Sequence, residues 1–310
     1  MGEPVIVVGL GRIGRLHAAN LANRLRLAGV VDAVESVARA VGDRHGVPWS
    51  TSLDELLPRA RGVVIAAPTA LHAELVSRAA AAGVDVFCEK PLGFTVDEAR
   101  RAVEAARGVR LQVGFQRRFD PDWLALADAL RSGSLGGPTL FRCSHRNRTE
   151  PSGSLGDLFV DVAVHDLDAA RWLGGEVAEL HAWERPGAAC ISLRFESGAL
   201  GLIDVSRRAG YGFECSAELV GTGATMRLGR TSGTELLRHG HALSPLPGDH
   251  AERHAAAYVA ELEDFAKLVA GADSHGADGE DAVAALRLAL LARRSAVTGA
   301  PVLAAEAIAA

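Results

Sequence analysis

The 310-residue chain has only four cysteines, Cys88, Cys143, Cys190 and Cys215, and they are widely scattered. No C-x-x-C pair occurs, so the spacing supports neither a zinc ribbon nor a disulfide framework, and a reducing cytoplasm is the expected setting. No uncharged stretch reaches the roughly 18 residues that suggest a membrane span. The alanine-rich segment 280–298 carries Asp281, Arg287, Arg293 and Arg294, the pattern of a helix packed at a surface and not in a bilayer. There is no excess of positive charge, the net being −5, and nothing calls for a nucleic-acid partner. Internal repeats and low-complexity tails are also missing. The apolar start lacks a basic segment and runs straight into a glycine turn, so it reads as a first strand and not as a signal peptide.

What is present is an ordinary globular balance, 48% hydrophobic and 23% charged, at a length that suits two domains. The first third alternates short apolar runs with helical periodicity. Strands are predicted at 5–9, 27–32, 63–67, 85–88 and 110–114, with a weaker one at 47–50. Helices are predicted between them at 13–25, 35–45, 53–57, 71–82 and 96–106. Ser52 with Glu55, and Thr95 with Glu98, have capping-box spacing, and Gly83 sits where a helix C-cap belongs. Such alternation implies parallel βαβ units.

Beyond residue 119 the pattern changes. A helix at 121–131 leads to a strand at 139–147, a Gly/Ser-rich loop at 150–156 and a helix at 159–173. Strand-like runs follow at 177–184, 189–195, 199–205, 213–220 and 225–228, with hairpin signals at Ser197-Gly198 and Gly221-Thr222-Gly223. Helices at 252–269 and 280–298 close the chain. The expected fold class is α/β. An N-terminal Rossmann domain spans 1–118, and a C-terminal α/β domain spans 119–310 with a large, mostly antiparallel, open-faced sheet. The last helix is expected to pack back on the first domain. An open sheet face needs a cover, so a homodimer or homotetramer through that face is expected.

Gly9-Leu10-Gly11-Arg12-Ile13-Gly14 is a G-x-G-x-x-G placed between an apolar strand and an amphipathic helix. In that context Gly9 allows the tight turn, Gly11 lets a pyrophosphate approach the backbone, and Gly14 lets helix and strand pack closely. The helix N-terminus, including Arg12 and Ile13, favours the phosphate charge. Asp32, 21 residues after Gly11, has the spacing of a carboxylate on the adenosine ribose, which favours NAD over NADP. The competing reading is a glycine turn of an unrelated α/β protein.

Glu89-Lys90-Pro91, closing the strand at 85–88, resembles the signature of the Gfo/Idh/MocA family of sugar and cyclitol dehydrogenases. Ala67-Pro68-Thr69 with His72, the run 113–120, Asp161-Val162-Ala163-Val164-His165 with Asp168, and the late segments 257–262 and 278–279 extend the resemblance over nearly the whole chain. His145-Arg146-Asn147 and Tyr211 to Glu214 resemble substrate-contacting segments of the family's inositol 2-dehydrogenase branch. Gln116, Phe119 and Phe213 depart from that branch, where an apolar residue and two tyrosines are usual. The resemblance implies NAD-dependent oxidation of a secondary ring hydroxyl of a polyol or sugar in a cleft between the domains. It places the cofactor on Ala67, Pro68, Thr69, His72, Glu89 and Lys90 as well as on the glycine loop.

Hydride transfer from an alcohol needs a base for the hydroxyl proton and a donor for the developing alkoxide. Asp161 and His165, four apart on a predicted helix, can face one cleft, with Asp161 orienting His165 as the base. Lys90 would donate to the reacting oxygen or to a neighbouring hydroxyl. Taken singly, such an Asp–His pair is also a common helix pair and a strand-end lysine a common surface charge. Asp168 either binds a substrate hydroxyl or pairs with Arg171. His145 and Asn147, two apart on a strand, share a side and suit hydroxyl recognition together with Gln116. Of Arg117 and Arg118, one reaches substrate or cofactor and the other forms an interdomain salt bridge. Tyr211 walls the pocket or caps a strand edge. His239 with His241, and His250 with His254, have spacings zinc could use, but no third ligand accompanies either pair, and no metal is expected. Two other functions stay open: a ketoreductase of a nucleotide-activated or amino sugar, and a non-catalytic dinucleotide-binding regulator, which would have no need of Lys90, Asp161 and His165.

Overall fold

A computed structural model describes residues 2–148, 156–229, 236–238, 241–243 and 247–307. Most of the loop expected at 150–156, and the pair His239 and His241, lie outside the residues whose side chains are described. The first part of the chain runs β1 (Val5–Val8), α1 (Arg12–Arg24), β2 (Leu27–Val31), α2 (Glu35–His45), β3 (Trp49–Ser50), α3 (Leu53–Leu56), β4 (Gly62–Ile65), α4 (His72–Ala81), β5 (Asp85–Glu89), α5 (Val96–Ala105) and β6 (Leu111–Gly114). It continues with α6 (Pro121–Arg131), β7 (Pro138–Arg146), α7 (Val164–Gly174), β8 (Val177–Arg185), β9 (Ala188–Phe195), β10 (Leu200–Ser206), β11 (Glu214–Gly221) and β12 (Thr225–Leu228). The last elements are β13 (Leu236–Arg238), β14 (His241–Leu243), α8 (His250–Arg253), α9 (Ala255–Val269), α10 (Gly279–Thr298) and β15 (Val302–Leu303). These residues group into two compact units, Met1–Phe119 with Ala256–Ala284, and Asp120–Ala255 with Ala285–Ala309.

The first unit is a parallel six-stranded sheet in the order β3-β2-β1-β4-β5-β6, the order of a doubly wound dinucleotide fold. β1 and β4 are buried along their whole length, as central parallel strands covered on both faces must be. Val5, Val7, Val30, Val64 and Phe87 from the strands pack with Leu21 of α1 and with Leu262, Phe265, Leu268 and Val269 of α9. α9 therefore completes the core of a unit whose strands end more than 140 residues earlier in the chain.

The second unit carries a seven-stranded sheet in the order β12-β11-β7-β10-β9-β8-β15. Only β7 and β10 run parallel, and every other neighbouring pair is antiparallel. Burial alternates along the strands: Phe141, Cys143, Ile191, Leu193, Ile203, Val205, Ala217 and Leu219 point to one face and are buried. The opposite face leaves Trp183, Leu200 and Leu202 54%, 54% and 48% exposed.

Several local expectations change. Thr95 and Glu98 do form a capping box, but Ser52 and Glu55 do not. Glu55 instead accepts from Ser50 Oγ at 2.6 Å, and Ser50 Oγ accepts from the Ser52 N–H. The helix expected at 252–269 is broken at His254, whose ring is drawn 2.8 Å from Asp120. The helix expected at 159–173 opens with a wide π-turn, Phe159–Ala163, before α7 begins. β13, β14 and β15 were not expected from the residue pattern.

Candidate functional site

In the first unit the expected cofactor residues meet at the C-terminal ends of β1, β2, β4 and β5, the edge where open α/β sheets bind ligands. Gly9 has φ +84, and a Cβ there would stand 2.5 Å from the Ala67 backbone. A Cβ on Gly14 would fall 1.7 Å from the Gly9 carbonyl oxygen, so this glycine is required for helix and turn to touch. Gly11 differs: a Cβ there would meet nothing within 4 Å, and Gly11 and Arg12 are exposed. Gly11 is also the N-cap of α1 and offers no side-chain cap, so the first N–H groups of the helix face outward, fitted to a pyrophosphate.

Asp32 closes the loop from the β2 side. Its Oδ2 accepts from the Leu10 N–H at 2.7 Å and its Oδ1 from the Val34 N–H at 2.9 Å. Those bonds hold the carboxylate at the loop. His72 is a loop anchor. It is buried, with Nδ1 2.8 Å from the Pro91 carbonyl and Nε2 2.8 Å from the Ala67 carbonyl, so it ties the Ala67-Pro68-Thr69 turn to the turn after Lys90. Burial pulls its pKa below the ordinary histidine value, against the two carbonyl contacts, which raise it. The Lys90–Pro91 bond is cis. Lys90 stands half-buried just past β5, while the carboxylate of Glu89 turns inward to His17 at 2.7 Å. Gln116 and Arg117 are buried in the 3-10 turn Gln116–Phe119. Arg118 pairs with Asp281 at 2.8 Å, a residue of the same unit. That places this bridge inside a unit and not between domains.

In the second unit a polar cluster lies where α7 meets the buried face of the sheet. Asp166, fully buried, accepts from Cys143 Sγ at 3.0 Å and lies 3.2 Å from His145 Nδ1. The His145 and His165 rings are 6.4 Å apart, and Phe213 stands edge-on to His145 at 5.6 Å. A carboxylate beside Nδ1 favours the tautomer protonated at that nitrogen. Asp161 takes an ion pair from buried Arg207 at 2.6 Å, and the same guanidinium donates to the Asp157 carbonyl. Asp168, one turn past His165, is fully buried, while Arg171 pairs with Glu176.

Two of the expected substrate residues sit differently. β7 ends at Arg146, and Asn147 lies just beyond it, its backbone bonded to Ser206 and Ala209. The hydroxyl of Tyr211 donates to Glu214 and accepts from Arg146 at 3.3 Å. Arg146 and Glu214 are a cross-strand pair on the face opposite His145, so that hydroxyl is engaged away from the histidines. A hollow of about 310 Å³ lined by Arg142, Ser144, Trp183, Cys190 and Leu202 lies on that outer face too.

Residue-pattern reading missed Asp166, Arg207, His17 and Glu261. Two carried a usable signal. His17 falls on the buried stripe of α1 with Gly14, Ala18 and Leu21, and Glu261 on that of α9 with Ala257, Tyr258, Leu262 and Phe265. A charged or titratable residue on an apolar stripe needs a partner from another element.

Comparison with known proteins agrees with this geometry. Residues 4–115 match the GFO_IDH_MocA model, an oxidoreductase family with an NAD-binding Rossmann fold, and residues 123–227 match the GFO/IDH/MocA C-terminal domain. An inositol 2-dehydrogenase of Rubrobacter xylanophilus is 36% identical over 95% of this chain and 91% of its own. A myo-inositol 2-dehydrogenase of Thermotoga maritima is 34% identical over 93% of this chain and 95% of its own. Among solved structures, a probable dehydrogenase from Thermotoga maritima superposes with a TM-score of 0.92 at 32% identity, covering 98% of this chain and all of that one. A Lactobacillus casei myo-inositol dehydrogenase in complex with NAD(H) and myo-inositol superposes with a TM-score of 0.90 at 25% identity, covering all of this chain and 98% of that one.

Proposed function

Since the chain belongs to the GFO/IDH/MocA oxidoreductase family, we propose that it oxidises a secondary ring hydroxyl of a cyclitol or pyranose to the ketone with NAD. The observation that carries this reading is the joint presence of a glycine cradle closed by Asp32 and of the Lys90, Asp161 and His165 set. Relatives over 30% identical along most of the chain are named inositol 2-dehydrogenases, which supports a cyclitol. Residues 1–118, with 256–284 completing their unit, are assigned to the nucleotide, and the rest of 119–310 to substrate and assembly.

When bound, NAD supplies the hydride acceptor; everything else is asked of side chains. The N–H groups at the start of α1, from Gly11 through Gly14, hold the pyrophosphate. Asp32 accepts from the ribose hydroxyls and opposes a 2′-phosphate. His165 takes the hydroxyl proton as general base, and Asp161 steadies the imidazolium that results. Arg207 holds Asp161 in one rotamer through their ion pair. The Lys90 ammonium donates to the reacting oxygen as negative charge grows there. Asp166 holds His145 so that Nε2 accepts from a neighbouring ring hydroxyl. Gln116, Arg117, Asn147, Asp168 and Tyr211 are assigned to substrate by resemblance; for Tyr211, the Arg146–Glu214 contacts favour the strand-edge role.

One observation keeps a second substrate class open. Phe213 is buried between His145 and His254, an apolar wall where the inositol branch carries tyrosine, so an amino or nucleotide-activated sugar is the alternative. The outer sheet face, with Trp183, Leu200 and Leu202 exposed, is assigned to a second copy of the chain in a dimer or tetramer. Among the described residues no helix is long and apolar enough to cross a membrane, and the cytoplasm is the proposed location.

The test is NADH formation with NAD or NADP against inositol isomers, glucose and amino-sugars, beside His165→Ala and Lys90→Ala. Turnover of a cyclitol, reduced about 10²- to 10⁴-fold by His165→Ala, supports the reading. NADH binding without turnover of any free polyol replaces it with the activated-sugar reductase or the regulator.

A further inference from the structure

The first unit contains a buried polar cluster of which only Glu89 was expected at the cofactor, its carboxylate turned inward to the other two members. His17 comes from α1, Glu89 from the last position of β5 and Glu261 from α9. His17 and Glu261 are fully buried, and ligand-capable atoms of the three lie within 4.8 Å of one another. His17 Nε2 is 2.7 Å from Glu89 Oε1; an ionised carboxylate only accepts, so the ring nitrogen donates. Both side-chain oxygens of Glu261 are buried with no hydrogen-bond partner among the described residues. Gln112 Nε2 reaches this residue at its main-chain carbonyl and not at its carboxyl, at 3.3 Å.

An ionised carboxylate without a donor in such a place costs several kcal/mol, and a group in that position takes up a proton instead. Burial pushes the Glu261 carboxyl well above the ordinary range, and the charge of Glu89 pushes the same way. Burial works against the charge of Glu89 as well, but the His17 hydrogen bond and the charges of His17, Lys90 and His72 hold its carboxyl below the ordinary range. The titratable groups around the cluster are His17 of α1, Cys88 and Glu89 at the end of β5, Lys90 just past it, His72 of α4, and Tyr258, which is on α9 itself and lies edge-on to His17; burial and the charge of Glu89 push the Cys88 thiol well above its ordinary range, so it stays neutral.

A divalent cation is the competing occupant. Nitrogen and oxygen ligands on one tetrahedral zinc, with bonds of about 2.0–2.1 Å, stand roughly 3.3 Å apart. The 2.7 Å between His17 and Glu89 is a hydrogen-bond distance, and that bond puts a proton where a metal would need the nitrogen lone pair.

We propose that Glu261 is protonated at neutral pH and forms the acid half of a carboxyl pair with Glu89, and that this pair with His17 positions the end of β5 that carries Lys90. Two carboxylates within 4.8 Å then hold one negative charge between them, and that charge balances the Lys90 ammonium. Ionising Glu261 would add a second charge, repel Glu89 and draw Lys90 inward. The protonation state stands independently of the proposed reaction; only the consequence for Lys90 rests on it.

The first test is activity-free: urea unfolding of the full chain, wild type beside Glu261→Gln, from pH 5.5 to 7.5. A carboxyl whose folded pKa is raised binds its proton more tightly when folded, so stability is lost as pH rises from the unfolded value, about 4.3, to the folded one. The wild-type folding constant divided by that of the glutamine variant is expected to fall up to tenfold per pH unit. A flat ratio overturns the proposal, as does a stoichiometric divalent metal whose chelation destabilises the wild type. Should the variant not fold, a carboxylic-acid C=O band in the infrared spectrum of glutamate-labelled wild type at pH 7 supports the proposal, and its absence overturns it. For the positioning role, Glu261→Gln, neutral for neutral, should keep the midpoints of the kcat/KM pH profile, and Glu89→Gln should shift them. Equal shifts in both variants overturn it.

Discussion

The carboxylate of Asp32 accepts a 2.7 Å hydrogen bond from the Leu10 N–H, inside the glycine loop that begins at Gly9. One side chain thus both shapes the loop and presents a charge beside it. Asp32→Ala should cut kcat/KM with NAD about 10- to 100-fold, the worth of a hydrogen bond to a charged group, and should narrow the preference over NADP. An unchanged NAD/NADP ratio would remove Asp32 from cofactor choice.

Gly14 and Gly11 predict opposite outcomes for the same change. Gly14→Ala forces a Cβ to 1.7 Å from the Gly9 carbonyl, so helix and turn must separate, and a loss of about 3 kcal/mol or more in urea melts is expected. Gly11→Ala meets no protein atom within 4 Å and should melt near wild type while NADH affinity, followed by fluorescence, drops.

Asp120 is buried between Arg253 at 2.7 Å and His254 at 2.8 Å. Burial opposes its charge, but these two partners hold its carboxyl below the ordinary range. The stabilisation it contributes is present above about pH 4 and is lost as pH falls through the depressed folded value. Asp120→Asn should cost about 1.5–3 kcal/mol at pH 7, since Arg253 keeps Asp122 at 2.9 Å but loses its charged hydrogen bond to Asp120, and the gap to wild type should shrink in acid. Chemical unfolding at pH 7 and pH 3 measures both.

His72 has the reverse charge and needs its own sign. Burial lowers its folded pKa, so below about pH 6.5 the unfolded chain binds a proton that the folded chain refuses. Stability is lost as pH falls from that value toward the folded pKa. His72→Asn should flatten this acid slope in Tm between pH 7.5 and 5.5 while lowering Tm at pH 7.5, because the Ala67 and Pro91 turns lose their tie. A slope equal to that of wild type would show that His72 titrates normally.

Leu202→Asp places a charge on the outer sheet face. If that face seats a second copy, light scattering should show the assembly falling apart, with the NADH affinity of the remaining protein retained. An unchanged mass would move the interface elsewhere.

Much of this protein follows from local order along the chain. Alternating apolar runs and amphipathic helices sufficed for a parallel sheet, and the strand, glycines and acid from Gly9 to Asp32 sufficed for a Rossmann fold, because each signal lies near its partner along the chain. Strand-like runs between hairpin signals likewise marked β8 to β12. What the chain order could not show are pairings between distant residues. His254 breaks a helix to meet Asp120, 134 residues away; Arg207 reaches Asp161; Asp166 gathers Cys143 and His145; Glu261 arrives beside Glu89 only because α9 fills the core of the first unit. In each, burial strips a polar group of water and makes its free energy depend on whichever side chain the fold brings to it. Tertiary structure alone decides that.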